Sequence, residues 1–185
     1  MIALRHPPPL TQGICAGRFD LPVYDPRPFI ERLLANRDVV PVERVYCSPA
    51  ARGRDLAHIM AARLSLPLEV DPRLQELDFG DWEGQLWNDI ESNDHERFRA
   101  WANDWLRATP PNGECTFALH QRVAAFMDRI RMDPVLVVTH AGPIRAMRVL
   151  CRSNTWDEAM SEAVPYAVPI RFAMNSYSAR TSAVP

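Results

Sequence analysis

The stretch from Val135 to Arg145, "VLVVTHAGPIR", decides how this chain folds. Its first five residues form an unbroken β-branched run, the pattern of a strand buried on both faces of a parallel sheet. His140 follows directly, and Gly142-Pro143 then opens a helix whose apolar residues, Ile144, Met147 and Leu150, share one face. A titratable ring therefore stands between a strand end and a helix start. Open α/β sheets bind their ligands outside that carboxyl edge.

The same unit recurs on either side. Ile2–Leu4 reads as a short buried strand that delivers Arg5 and His6 side by side, after which Pro7, Pro8 and Pro9 forbid further regular pairing. Asp25-Pro26 reads as an N-cap followed by a first-turn proline, with Phe29, Ile30, Leu33 and Leu34 on one helical face. "RVYC" (Arg44–Cys47) is a second strand. It runs into "CSPAAR", where Ser48-Pro49 offers another N-cap and proline pair and Arg52 falls in the first turn of a helix continued by Leu56, Ile59, Met60 and Leu64. Leu68–Val70 is a brief third strand, and Ile170–Ser176 reads as a last, antiparallel one. Between the third and fourth strands, residues 87–108 and 114–131 read as helical and form a lid over about 85–131. Phe98, Trp101 and Trp105 make a stripe there that reads as core or lid packing, and the tail from Ala179 to Pro185 is expected to fray. The expected fold is α/β: a three-layer sandwich with a mostly parallel central sheet flanked by helices, in one domain spanning 1–185.

Composition removes several chemistries. All 21 basic residues are arginine, which excludes a P-loop lysine, a Schiff-base lysine and lysine-assisted kinase chemistry. Each fixed positive charge is thus a planar fork suited to carboxylates and phosphates. A formal charge of −2 supplies no basic field for nucleic acid. The four cysteines, Cys15, Cys47, Cys115 and Cys151, form no CxxC pair, and no segment reads as a signal peptide or a bilayer span, so a soluble cytoplasmic protein is expected. In "CSPAAR" only four residues separate Cys47 from Arg52, one short of the loop a cysteine-dependent phosphatase wraps around its phosphate. His6, His58, His95, His120 and His140 form no short-range ligand pair, so no metal is expected.

What remains converges on one edge. Arg5, His6, Arg52 and His140 sit at three strand ends beside helix N-termini, whose free N–H groups and partial positive charge favour anions. Together they make a pocket for a phosphoryl group. "RLQELDFGDWEG" (Arg73–Gly84) adds four acids among aromatic residues and glycines. A carboxyl held against apolar surface beside an incoming phosphate dianion titrates high, as a general acid needs.

"LRH", "SPAAR", "LQELDFGDWEG" and "VVTHAGPIR", in that order, resemble the histidine phosphatase superfamily in its phosphoglycerate mutase-like branch, over nearly the whole chain. "GICAGRFDLP" and "PPNGECTFALHQRV" look most like the α-ribazole phosphatase type, which acts late in cobalamin synthesis. The resemblance implies a phosphoglycerate mutase-like fold and a metal-independent phosphatase without a cofactor. It implies His6 as nucleophile through a phosphohistidine, with Arg5, Arg52 and His140 holding the equatorial oxygens and Glu76 serving as proton donor and acceptor. Gln12 and Ala141 occupy places that contact substrate in the family. The chain departs from the pattern at Pro7, where glycine is usual and whose ring nitrogen cannot donate to phosphate, at Gln12, where asparagine is common, and at Ala141, where glycine is common.

The implied partner is a small-molecule phosphate monoester, with no nucleic acid and no membrane, and exposed lid helices could form a homodimer. The residues leave open which alcohol departs. A broad-specificity or sugar-phosphate phosphatase, a mutase-type transferase of the same fold, and a non-catalytic phosphate-binding domain stay in view.

Overall fold

The structure, a computed structural model, describes residues 1–37, 39, 41–130, 133–152 and 154–174. Five strands form one sheet: β1 (Ile2–Arg5), β2 (Arg44–Cys47), β3 (Leu68–Val70), β4 (Val135–Thr139) and β5 (Ile170–Arg171). Their spatial order is β3-β2-β4-β1-β5, parallel except for β5, which runs antiparallel to β1. β4 lies between β1 and β2, and every one of its residues is buried. Alternation along the strands divides their side chains between two cores. Val135 and Val137 join Ala3 and Tyr46 on one face, while Leu136 and Val138 join Ile2, Leu4, Val45 and Cys47 on the other.

Helices cover both faces. α1 (Arg27–Ala35) and α2 (Ala51–Leu64) place Ile30, Leu33, Leu56 and Met60 against the second face. On the first face, Leu119, Val123, Phe126 and Met127 of one helix and Ile144 and Met147 of another fill the space above the sheet. These helices are α5 (Thr116–Arg129) and α6 (Ala141–Arg152). The short α7 (Trp156–Ser161) packs on α6 and starts with a capping box between Thr155 and Glu158. This is the three-layer α/β sandwich with a mostly parallel sheet that the strand and helix pattern anticipates.

Several local expectations need correction. At α1 the expected pair is shifted by one: Pro26 is the N-cap residue and Arg27 the first helical one, and Asp25, one residue earlier, accepts the Arg27 N–H at 3.0 Å. Ser48 does not cap α2. That helix begins at Ala51, and the first N–H is taken instead by Asp20, whose Oδ2 accepts from Ala51 at 2.8 Å. Pro49 thus lies in the turn before the helix, because Ser48 is held by β4 through an N–H bond to Val138 at 3.0 Å. The prolines after β1 allow more pairing than their missing donors imply. Pro8 accepts the Tyr24 N–H at 3.0 Å and Leu10 donates to Pro22 at 2.9 Å, so the segment uses only the carbonyls and the one amide that it has. β5 stops at Arg171, and the expected strand positions Asn175 and Ser176, like the tail 179–185, lie outside the described residues.

The segment between β3 and β4 carries the largest revision. The helix expected over 87–108 is two helices, α3 (Trp87–Asn93) and α4 (His95–Asn103), broken at Asp94. Asp94 leaves helical geometry because its carboxylate has other work, accepting from the Trp82 indole at 2.8 Å and from Arg97 at 2.6 Å. Phe98 and Trp101 pack with Phe79, Trp82 and Trp87 over buried Cys15 and Ile90. Trp105 leaves that stripe and meets Trp156 edge-on, 6.0 Å between ring centroids, on the main core.

Gly80 fixes how this segment sits on the domain. It has φ +54°, and a Cβ there would lie 2.0 Å from the Pro111 carbonyl oxygen, which is backbone and cannot step aside. Gly80→Ala is expected to destabilise the protein by at least about 2 kcal/mol, from the left-handed backbone and the clash together. Urea denaturation followed by tryptophan fluorescence measures it.

Candidate active site

Sheet register assembles the site. Arg5 pairs with Thr139 across β1 and β4, and Cys47 pairs with Val138 across β2 and β4. The ladder continues one step past the strands, His6 donating its N–H to Thr139 at 3.0 Å and Ser48 to Val138 at 3.0 Å. His6 therefore stands level with His140, and Ser48 stands one residue lower, level with Thr139. The two imidazole centroids are 5.1 Å apart, and His140 Nε2 lies 2.8 Å from Ser48 Oγ.

The proton positions on His6 follow from its partner. Nδ1 lies 2.7 Å from the Pro7 carbonyl oxygen, which can only accept, so Nδ1 carries the hydrogen. Nε2 of the neutral ring then presents a lone pair. Burial, followed by the charges of Arg52 and Arg5, drives the His6 pKa down to about 3 against the opposing pull of the Pro7 carbonyl. His140 is completely buried and is also pushed well below its usual value, by burial first and then by Arg52, His6 and Arg5. Both rings are neutral at pH 7.

Two arginines border them. Arg5 lies over Tyr166, its guanidinium carbon 3.6 Å from the ring centroid, and donates to the Tyr166 hydroxyl at 2.8 Å and to the Val164 carbonyl at 2.9 Å. Arg52 is more tightly held. Nη1 donates to the Phe19 carbonyl at 2.8 Å and to Asp20 at 3.0 Å, and Nη2 donates to the Gly17 carbonyl. Arg52 is thus partly the acid-paired arginine that its helical position would suggest, although its charge still reaches both histidines. Arg5 Nε, Arg52 Nε and His140 Nδ1 are buried without a hydrogen-bond partner among the described residues. Unsatisfied buried nitrogens of this kind are costly.

The carboxylate of Glu76 is fixed at the start of α6. Its two oxygens accept the Gly142 N–H at 3.0 and 3.2 Å, at the start of α6, and Oε1 also accepts from Leu77 at 3.0 Å. Arg122 of α5 holds the segment that carries it, donating to the carbonyls of Arg73, Gln75 and Glu76 while pairing with Glu114. The other acids of that stretch have structural tasks: Asp78 pairs with Arg18, Asp81 accepts from Asn112, and Glu83 accepts the N–H groups of Arg18 and Phe79.

Residues 30–167 match the profile of the Histidine phosphatase superfamily (branch 1). The chain belongs to that superfamily. It is 37% identical over 107 residues to the adenosylcobalamin/alpha-ribazole phosphatase of Escherichia coli K12, covering 56% of this chain and 53% of that protein. The chain spans about half the length of the curated relatives that carry that name. It is also 28% identical over 162 residues to the putative phosphoserine phosphatase 2 of Hydrogenobacter thermophilus, covering 82% of this chain and 79% of that one. Among solved structures it is similar to the alpha-ribazole phosphatase of Shigella flexneri, with a TM-score of 0.81, 27% identity, and coverage of 91% and 87%.

Of the residues expected at this histidine phosphatase site, Arg5, His6, Arg52, Glu76 and His140 come together. Ala141 is buried at the first position of α6 and is not among the residues with positive φ, so replacing the common glycine costs no backbone strain there. Gln12 is exposed on the loop after β1, with no described contact to the pocket groups. Sequence reading missed Tyr166, Arg122 and Asp20, which hold the expected residues but sit in no strand-end motif. It also passed over the role of Gly142, where a Cβ would lie 2.2 Å from Glu76 Oε1.

The buried neutral imidazoles make stability depend on pH. Below the unfolded value of about 6.5, the unfolded chain binds protons at His6 and His140 that the folded protein excludes. Stability is therefore full above pH 6.5 and falls on acidification, by up to about 1.4 kcal/mol per pH unit for each ring. Denaturation at several pH values measures the slope. Nitrogen-15 NMR should show His6 as the Nδ1–H tautomer, with no titration between pH 5 and 8.

Proposed function

We propose that this protein is a metal-independent phosphomonoester hydrolase acting through a phosphohistidine on His6, and that its substrate is α-ribazole 5′-phosphate. The reaction type rests on one observation: a buried, neutral His6 whose Nδ1–H is committed to the Pro7 carbonyl, leaving Nε2 as a free lone pair between arginines. The substrate rests on the names of the Escherichia coli and Shigella relatives.

In this scheme the phosphoryl group lies among Arg5, Arg52 and His140, and the ester oxygen faces Glu76. His6 Nε2 attacks phosphorus in line, the P–O bond to the alcohol breaks, and Glu76 in its protonated form gives its proton to the departing oxygen. The N–H groups of Gly142 and Leu77 receive the carboxylate left behind. Glu76 then takes a proton from water as the water oxygen attacks the phosphohistidine. The P–N bond breaks, inorganic phosphate forms and neutral His6 returns. Arg5 and Arg52 offset charge on the equatorial oxygens while each is fixed by its own protein partners, so little reorganisation accompanies transfer.

The decisive experiment is phosphate release in EDTA from α-ribazole 5′-phosphate, 3-phosphoglycerate, fructose bisphosphates and an aryl phosphate. A clear preference for the first supports the proposed substrate, broad weak hydrolysis supports only the reaction, and no release from any of them refutes both. His6→Ala should lower turnover by at least about a thousandfold while the fold persists. Glu76→Gln should slow alkyl esters far more than the aryl ester, because only poor leaving groups need the proton. Equal losses on both would instead make Glu76 a binding residue.

A further inference from the structure

Every arginine that the proposed mechanism uses is engaged by protein. Arg5 is held by Tyr166 and Val164, Arg52 by Gly17, Phe19 and Asp20, and Arg122 by three carbonyls and Glu114. Arg145 differs. It lies on α6 three residues beyond Gly142, so it stands one turn above the N–H that holds Glu76 and on the same helical face. It is only partly exposed, its Nε is buried without a hydrogen-bond partner, and no carboxylate pairs with it among the described residues. Burial lowers the pKa of its guanidinium, with the charge of Glu76 opposing and that of Arg5 adding to the effect.

An unpaired, partly desolvated guanidinium is expensive to maintain unless something occupies it. The first turn of α6 holds the Glu76 carboxylate through the Gly142 N–H, and the proposed reaction puts the ester oxygen against that carboxylate. The next groups along α6 therefore face the alcohol, and the phosphate oxygens are left to Arg5 and Arg52. We propose that Arg145 is a specificity-determining residue that grips an oxygen acceptor on the leaving alcohol, close to the ester. The chemistry is that of a sugar hydroxyl or a carboxylate, both of which a guanidinium fork serves. This inference rests on the phosphatase reading. It extends that reading from the phosphate, which any monoester has, to the alcohol, which distinguishes one monoester from another.

The test compares Arg145→Ala with wild type on three alkyl esters of similar leaving-group demand. n-Propyl phosphate lacks a further acceptor, ribose 5-phosphate offers hydroxyls, and 3-phosphoglycerate offers both a hydroxyl and a carboxylate. Loss of kcat/KM should be about 10- to 100-fold greater on an acceptor-bearing ester than on propyl phosphate, the size expected for one charge-assisted hydrogen bond. A selective loss on ribose 5-phosphate identifies a hydroxyl as the acceptor. One confined to 3-phosphoglycerate, and recovered by Arg145→Lys, identifies the carboxylate. Equal losses on all three, or no loss on any, overturn the proposal, since Arg145 would then serve the phosphate or nothing in the reaction. Circular dichroism accompanies each variant, and Arg145→Gln supplies the same comparison if the alanine variant unfolds. Wild-type hydrolysis of the same esters is read separately, so failure of the phosphatase reading would appear as no turnover before any variant is compared.

Discussion

The register of β1 and β2 on β4 is the constraint on which the rest depends. One residue of slip on either side would carry His6 or Ser48 to the opposite face of the sheet, because side chains alternate with period two. The slip is forbidden by burial, not by the site. Shifting β1 would exchange Ala3 between two filled cores and drive Leu4 into a space shaped for a smaller side chain. The hydrophobic pattern that fixes the strands thereby fixes two imidazoles at 5.1 Å without any contact having to be selected between them.

Charge is balanced by a second layer. Desolvation and the neighbouring guanidinium groups act in the same direction on both histidines and keep them neutral, which makes the pocket a collection of donors held by fixed cations. Those cations are kept in place by groups outside the pocket. Asp20 shows the economy of this arrangement: one carboxylate takes the first N–H of α2 and also pairs with Arg52, so the helix start and the buried arginine are set by a single residue. Arg122 does the equivalent for Glu76 through main-chain carbonyls, which positions the carboxylate without placing a positive charge directly on it.

The sheet, its flanking helices and five charged or imidazole residues of the site were legible because each follows from local periodicity or from a strand-end motif. What escaped has a common physical cause. Tyr166 reaches Arg5 across 161 residues, Asp20 reaches Arg52 across 32 and Arg122 reaches the Glu76 carbonyl across 46, and no spacing rule encodes such contacts. The start of α2 was misread for a related reason. Ser48-Pro49 is a sound local cap signal, but the β4 ladder holds the Ser48 backbone and its hydroxyl is shared between His140 and the Ala50 N–H, so the helix begins only at Ala51. The break at Asp94 is similar, since the helical pattern on both sides is intact and only the distant Trp82 indole makes the interruption worthwhile.

At Pro7 the chain departs from the family pattern, and its peptide unit takes a different task. Proline removes an N–H that a glycine would have offered to an anion, and by sequence that reads as a loss. The structure uses the other half of the peptide unit. The Pro7 carbonyl accepts from His6 Nδ1, and a fixed φ leaves that carbonyl less freedom to turn away than a glycine would. The following prolines extend the effect, since Pro8 and Leu10 tie the segment to residues 22–24. A donor to the ligand has been exchanged for rigidity in the group that sets the tautomer. In the proposed reaction the tautomer is the more demanding requirement, because arginines can replace one amide donor but only this tautomer leaves the lone pair of His6 at Nε2.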